Sequence, residues 1–455
     1  MGTMSTPSEH LRIVRRAQKK IPWISQVIDK ADVALDLSSP LEFVDRSSSG
    51  SQCHYCKGSR LLCGKSSCPL LARVYAYLKT KPLFEREEIS GSTPPGVFVG
   101  RMGYPYVYAG PMVPPVFGNT EVMDLPERWF GKSMSEIIDL RFKMVRGSFR
   151  VDVRKPEGSG RMLDDTRELT LLSSSTETHL TLANKPRQTF VLSSEIQPMG
   201  PSARIKKMEV TSNGKTDRRI EKAYYDVDLR AAEAVRDLFD EHVPVSKIQR
   251  AFSMGIFGVK DQRKLVPTRW SITAVDSLLS QDMMPEIRDF PAINEYRLYE
   301  SSYLDNRFEI LMMPEAWKYE SMEAWYPGTI WNPTTSQIFI LSDYEPYRGR
   351  TSYAGMGGCY YAARLAVNEK LQAERRQAAV LVLREAHPDY IMPVGVWQVR
   401  ENVRNALRGN PLVFDKMEDV MARVKERLDI DLKVWIAHSE LLRDGLTQTK
   451  ITNFF

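Results

Sequence analysis

Apolar and polar positions change period several times along this 455-residue chain, and each change marks an element. Residues 8–35 follow a helical period and carry a basic run, Arg12, Arg15, Arg16, Lys19 and Lys20, ahead of Pro22. A further helix is predicted from Leu70 to Leu78. From Gly96 the pattern becomes VFVGRMGYPYVYAGPMVPP, β-branched and aromatic residues broken by Gly and Pro, which predicts strand and turn. Residues 126–147 return to a helix period, with Ser133 as cap and Ile137, Ile138 and Phe142 on one apolar side. The polar stretch Ser173 to Glu177 precedes the strand-like TLANKPRQTFVLS, SNGKTDRR predicts a surface turn, and 221–252 is helical. In the later half come RWSITAVDSLL, the aromatic-rich WKYESMEAWYPGTIWNP and a helix over 359–376. The apolar run Ala378 to Leu383 fits either a buried strand or the end of a long helix, because periodicity alone does not separate them. Helices are predicted at 397–408, stopping near Gly409, and at 415–428. Strand and helix periods mixed in this way predict an α+β protein.

Length adds that two regions are expected, since the chain exceeds what one hydrophobic core usually serves. With 42% hydrophobic and 26% charged residues the composition is globular. A net charge of +6 comes from 63 basic against 57 acidic residues, so basic charge must be clustered if it is to hold nucleic acid. No stretch approaches the roughly 18 consecutive apolar residues of a membrane span, and the N-terminus lacks the apolar core of a signal peptide. A soluble, cytoplasmic protein with no membrane partner is expected.

Cysteine usage changes the picture more. Of five cysteines, Cys53, Cys56, Cys63 and Cys68 lie in QCHYCKGSRLLCGKSSCP, a C-x2-C-x6-C-x4-C pattern, while Cys359 stands apart. The first pair forms a chelating knuckle, and turns at Gly58 and Gly64 let the chain fold back to offer the second pair. Four thiolates suit a closed, tetrahedral, structural zinc site, which could contribute on the order of 10 kcal/mol to local folding. An iron–sulfur cluster and a redox pair are the alternatives, although the spacing lacks the ferredoxin runs. Lys57, Arg60 and Lys65 around the loop serve either as phosphate contacts or as solvated charge.

The last eight residues, QTKITNFF, place Gln448, Ile451, Phe454 and Phe455 in the pattern Q-x-x-aliphatic-x-x-F-F. A short helical turn brings Ile451 and both phenylalanines to one side, where they can enter a single groove while the Gln448 amide reaches a polar pocket. That is the form of a docking peptide for the sliding clamp (PCNA). Burial of each apolar side chain supplies roughly 1.5–3 kcal/mol before the ordering of a tail is subtracted. Packing of Phe454 and Phe455 back onto the body is the alternative. Such a tail recruits and does no chemistry.

Candidate contacts for phosphate or bases are fewer and less specific. Gly355, Gly357 and Gly358 open a predicted helix, with Arg348, Arg350 and Arg364 nearby; backbone amides there could approach a phosphate, or the glycines could simply form a tight turn. The spacing matches neither a P-loop nor a dinucleotide fingerprint. Arg101 with Tyr104, Tyr106 and Tyr108, and Arg269 with Trp270, combine a cation with rings on which bases could stack, though such neighbours are also ordinary core and rim material. Asp152, Asp164, Asp165 and Glu195, with Lys206 or Lys207, are the carboxylates a metal-dependent nuclease would need, but they fall in no nuclease spacing, and Asp164 and Asp165 read as a solvated turn. Cys359 reads as a small buried side chain. No catalytic residue is assigned.

The CHYC…LCG…CP loop, the blocks VGRMGYPYVYAGPMVPP and LVPTRWSITAVD, the later VGVWQVRENVRNAL and the terminal QTKITNFF together resemble the archaeal Nre family of DNA-repair proteins, across essentially the whole chain. The resemblance implies an N-terminal helical segment (1–50), a zinc-bearing N-terminal region (51–260), a C-terminal region (261–444) and a flexible clamp-binding tail (445–455). It also implies a role in the repair of DNA damage, with DNA as a partner. It brings no catalytic residues, so three roles stay open: a DNA-processing enzyme, a non-catalytic DNA-binding adaptor at the clamp, and an enzyme on a nucleotide or small ligand near Arg350 and Gly355 to Gly358.

Overall fold

The computed structural model describes residues 80–156, 160–187, 198–212, 214–329, 331–332 and 337–447, with the single residues 61, 62, 65, 68 and 72. Two mixed six-stranded sheets and eleven helices make up the described part, an α+β architecture as the alternating periods predict.

The first sheet comprises β1 (Glu88–Thr93), β2 (Val97–Val99), β3 (Tyr106–Val113), β4 (Val145–Asp152), β5 (Thr176–Leu182) and β6 (Ser202–Val210), in the spatial order β1-β5-β6-β4-β3-β2. Its neighbours are antiparallel except β4 and β6, which run parallel. Side chains alternate cleanly along β4 and β5: Val145, Phe149 and Val151, then Leu180 and Leu182, are buried, whereas Arg150 and Glu177 reach solvent. This is a sheet with one covered face and one open face.

Between β3 and β4 lies α1 (Met134–Phe142), and between β4 and β5 lies α2 (Arg161–Leu171). Helices α3 (Arg218–Tyr225), α4 (Ala231–Asp240), α5 (Val245–Ser253) and α6 (Thr268–Asp289) then lead to the second sheet. That sheet contains β7 (Tyr296–Tyr303), β8 (Asn306–Met313), β9 (Lys318–Trp325), β10 (Phe339–Glu345), β11 (Ala379–Ala386) and β12 (Leu412–Phe414), ordered β10-β9-β11-β8-β7-β12. Helix α7 (Gly358–Glu374) lies between β10 and β11, the latter parallel to β9, and α8 (Trp397–Arg408) follows. The chain closes with α9 (Met417–Arg427), α10 (Leu432–His438) and α11 (Glu440–Thr447).

The second sheet is covered on both sides. Phe308, Ile310, Val380 and Val382 join the core shared with α6, α7 and α8, whereas Leu311, Met313, Leu381 and Leu383 pack with Val420, Val424, Trp435 and Leu442 of the final helices. All eight residues of β11 are therefore buried, and the run Ala378 to Leu383 is a central strand rather than a helix end. The larger core is continuous with the inner face of the first sheet, through Val107, Phe149 and Leu180. Helix α6 is its spine, packing on α4 and α5 on one side and on α7 on the other.

Several predicted elements fall elsewhere, for identifiable reasons. The helix expected over 126–147 is confined to α1: Gly131 has a positive φ, Ser133 and Glu136 form a capping box, and beyond Phe142 the pairing of Val145 with Val113 draws the chain into β4. The strand expected in TLANKPRQTFVLS begins earlier, as β5, because Thr176 and Thr178 occupy buried strand positions despite their polar side chains. The single helix over 221–252 is three: the Asp226 carboxylate accepts the amides of Asp228 and Leu229 in a turn, and Pro244 interrupts the amide ladder before α5. Asp164 and Asp165 belong to the first turns of α2, where acidic side chains face the positive helix end, and do not form a loop. The predicted helices at 8–35 and 70–78 fall largely or wholly outside the described residues.

Candidate nucleic-acid interface

The candidate contacts lie mostly at the junction between the two sheet regions. Residues between β2 and β3 form a tight turn: Tyr104 N donates to Arg101 O at 3.3 Å, Tyr106 N donates to Gly103 O at 2.9 Å, and Gly103 has φ +77°. The Tyr104–Pro105 peptide is cis. This turn lays the Tyr104 ring 5.3 Å from that of Trp270, tilted by 52°. Arg269 and Trp270 stand in the first turn of α6, whose start is fastened to the first sheet because Val99 N donates to Thr268 Oγ1 at 2.8 Å. Trp270 is 6% exposed, and its indole N–H meets no acceptor among the described residues.

The glycines open α7 against the next turn of α6. Gly357 takes φ +70°, a conformation only glycine adopts without strain, and precedes the helix with no side-chain cap. A Cβ on Gly358 would meet Val396 Cγ2 at 2.9 Å and Thr273 Oγ1 at 3.2 Å; one on Gly357 would lie 3.6 Å from Tyr353 Oη. The absence of side chains thus lets α7 start directly against Thr273 and Tyr353. Burial pushes the Tyr353 hydroxyl up to about 12, opposed by its hydrogen bond with Thr273 and by the charge of Arg269. The candidates thus form two groups along the start of α6: Tyr104 against Trp270, and Gly357 and Gly358 against Tyr353 and Thr273, where the charge of Arg269 is felt.

Arg350 lies on the far side of Tyr353 and is tied inward. It pairs with Asp343 at 2.9 Å, donates to Ser352 O and Tyr353 O, and stacks on Tyr360 at 4.8 Å. Asp343 also accepts from Met356 N at 2.7 Å, so Arg350 and Asp343 together hold the loop before α7. Arg348 in that loop is exposed, and Arg364 is fully buried in an ion pair with Glu345 at 2.6 Å. Burial pushes the Cys359 thiol well up, keeping it protonated.

Sequence inspection passed over several buried charge pairs beside this junction. Asp276 of α6 accepts from Arg400 of α8, 124 positions away, at both carboxylate oxygens at 2.9 Å, and from Gln249 Nε2 of α5 at 2.9 Å. Burial pushes Asp276 up to about 6 against the pull of Arg400 and Arg404. Arg384 bonds Glu323 at 2.6 Å across the parallel β9–β11 pair and Asn306 across β8. Glu385, His387 and Asp429 also draw together, but Glu385 accepts the amides of Asp429 and Ile430, and Asp429 is held by Arg307 at 2.6 Å. That cluster is satisfied as a staple between β11 and the segment after α9. No local sequence signal announces such pairs, since the partners lie on separate elements.

Of the four proposed zinc ligands, Cys53, Cys56 and Cys63 lie outside the described residues, and Cys68 is half-buried. Nearby, Lys65 donates from Nζ to Pro388 O at 3.2 Å, and Ala72 packs with Ile138, Phe142, Ile391 and Met392, so this part of the chain rests against the body. Four cysteines remain a donor set suited to tetrahedral zinc. Gln448, Ile451, Phe454 and Phe455 also lie outside the described residues, beyond the end of α11. No helix among the described residues is long and apolar enough to cross a membrane.

Comparison with known proteins covers nearly all of this framework. The family description "Archaeal Nre, N-terminal" matches residues 62–332, and "Archaeal Nre, C-terminal" matches residues 345–454. "DNA repair protein NreB" of Archaeoglobus fulgidus is 40% identical over 397 residues, covering 87% of this chain and 98% of the relative. "DNA repair protein NreA" of the same organism is 37% identical over 404 residues, covering 89% and 98%. "DNA repair protein NreA" of Haloferax volcanii is 31% identical over 356 residues, covering 76% and 84%. No solved structure matches. Matched by both halves of the family and aligned almost end to end with these relatives, the chain belongs to the archaeal Nre family.

Proposed function

We propose that this protein is a DNA-repair factor that binds DNA and is delivered to it by the sliding clamp. The observation that carries the proposal is the presence of a clamp-type peptide, Gln448 to Phe455, at the end of a chain whose body aligns with proteins named for DNA repair. Zinc held by Cys53, Cys56, Cys63 and Cys68 would serve structure, fixing a loop that has little apolar content of its own. Among the open roles, binding is favoured over metal-dependent cleavage. Asp152 sits beside Arg154 at the end of β4, while Asp164 and Asp165 pair with Arg167 and Arg161 along α2, so these three form no common cradle; Glu195 lies outside the described residues.

Three measurements test the reading. The full chain should recover the clamp in a pull-down, and Phe454→Ala with Phe455→Ala should abolish recovery; equal recovery by both proteins sinks the clamp assignment. Labelled duplex, nicked and single-stranded DNA should bind with salt-sensitive affinity. Turnover of any of these with Mg²⁺ or Mn²⁺ would replace the binding role with a processing one. Metal analysis of the same preparation should give one zinc per chain, and stoichiometric iron would overturn that part.

A further inference from the structure

The open face of the first sheet carries a feature that the family match does not describe. On β3, Tyr106 and Tyr108 point away from the core, while Val107 between them and Ala109 after them are buried. Arg150, on the neighbouring β4 and also exposed, holds its guanidinium 5.5 Å from the Tyr106 ring. Arg204, exposed on β6, reaches across the small Ser148 to lie 5.6 Å from the Tyr108 ring and donates to Tyr108 Oη at 2.9 Å. Each ring is therefore held by a cation from another strand, Tyr106 from the adjoining β4 and Tyr108 from β6 beyond it, and Tyr106 keeps 49% of its surface in solvent. Basic charge continues along β6 with Lys206 and Lys207; the acidic groups beside it are Asp152 and Glu209, which sit next to Arg154 and Lys207 respectively.

We propose that this face, Tyr106 and Tyr108 flanked by Arg150 and Arg204, binds single-stranded DNA by base stacking on the rings and phosphate contact with the arginines. The inference rests on the DNA-binding reading above and adds which strand form is bound, and where. Ring faces can be used only by bases that are not already stacked and paired, which excludes an intact duplex. Rings two residues apart on a strand stand about 6.8 Å from each other, twice the roughly 3.4 Å rise per base of a stacked strand. The spacing suits an extended strand whose successive bases are parted. Stacking is indifferent to base identity, and the arginines bind the backbone common to all sequences, so sequence-tolerant binding is expected. DNA is chosen over RNA because the relatives are named for DNA repair. The platform adjoins the junction described above, since the turn holding Arg101 and Tyr104 leads straight into β3.

The test is fluorescence anisotropy of the full chain with a labelled oligothymidylate of about 16 nucleotides at several salt concentrations. Tyr106→Ala with Tyr108→Ala should weaken binding at least about tenfold, the scale of lost base stacks, while Tyr106→Phe with Tyr108→Phe should stay near wild type because the ring faces remain. Arg150→Ala with Arg204→Ala should weaken binding and reduce the salt slope by about 1.4, the value for two phosphates on a single strand. Tyr225→Ala, at a tyrosine 71% exposed on α3, should change nothing. Wild-type binding that all these variants share overturns the platform and leaves DNA binding intact. Tighter binding of the matching oligouridylate, or of duplex, overturns the single-stranded DNA assignment. Failure of the wild-type chain to bind any DNA removes both readings. The Phe pair and an unchanged circular dichroism spectrum and urea midpoint of the Ala variants separate loss of the platform from loss of fold.

Discussion

Glu309 illustrates how charge is handled residue by residue in this core. It lies fully buried on β8 opposite Glu300 of β7, with only Arg427 among the described residues bonded to it, at 3.2 Å. Burial, reinforced by the charge of Glu300 and opposed by Arg427, pushes its carboxyl up from 4.5 to about 8. Between those two values the folded chain keeps a proton that the unfolded chain has lost, so stability falls as pH rises through this window. The Glu309→Gln variant lacks that titration. Relative to wild type it should gain stability from pH 4.5 to pH 8, by on the order of a few kcal/mol at the upper end, in denaturant titrations at stepped pH. Asp276 with Arg400, and Glu323 with Arg384, solve the same problem differently, by pairing. None of these was legible in the sequence. A buried acid is written with the same letter as an exposed one, and its partner is brought to it only by the fold.

Elements were legible wherever the pattern was carried by nearest neighbours. Helix α8 was expected at 397–408 and occupies Trp397–Arg408, because its apolar residues Val399, Val403, Ala406 and Leu407 recur with helical period and Gly409 follows. The Ser133 cap of α1 was read correctly from its position before the apolar side of that helix. Its Oγ accepts from Glu136 N at 3.3 Å while Glu136 Oε2 accepts from Ser133 N at 2.8 Å. Ser133→Ala should therefore cost about 1 kcal/mol, measured as a shift in the urea midpoint with unchanged slope. What escaped were elements decided by distant partners. Strand β5 is rich in threonine and reads as polar until β1 and β6 flank it, and β11 became a strand only because β8 and β9 enclose it. The open-face pairs belong to the same class: Tyr106 and Tyr108 were noticed, whereas Arg150 and Arg204 lie 44 and 96 positions further on, respectively.

For the whole molecule, the ends and the body carry different kinds of information. The cysteine loop and the terminal peptide are short motifs whose chemistry is set by spacing, so they pointed to a family and a place of action without any fold. Tyr104, Arg269, Trp270, Gly357 and Gly358 are individually weak signals, and only the packing of β3's approach and of α7 against the start of α6 relates them. Because α6 belongs to one apolar core with both sheets, the chain should unfold in a single cooperative transition, with fluorescence and circular dichroism midpoints coinciding. Two separate transitions would show that the sheet regions are independent.

That spine also bears on how such a chain can be divided. The N-terminal family match ends at residue 332 and the C-terminal one begins at residue 345, yet α7 and α8, which cover α6 and satisfy Asp276, come after the break. A fragment stopping there would leave an apolar helix flank facing water and would strip Asp276 of its cation, with Gln249 as the partner that remains. The two family halves are in this sense obligate companions, inherited as one gene segment or reassembled as two chains that fold only in each other's presence.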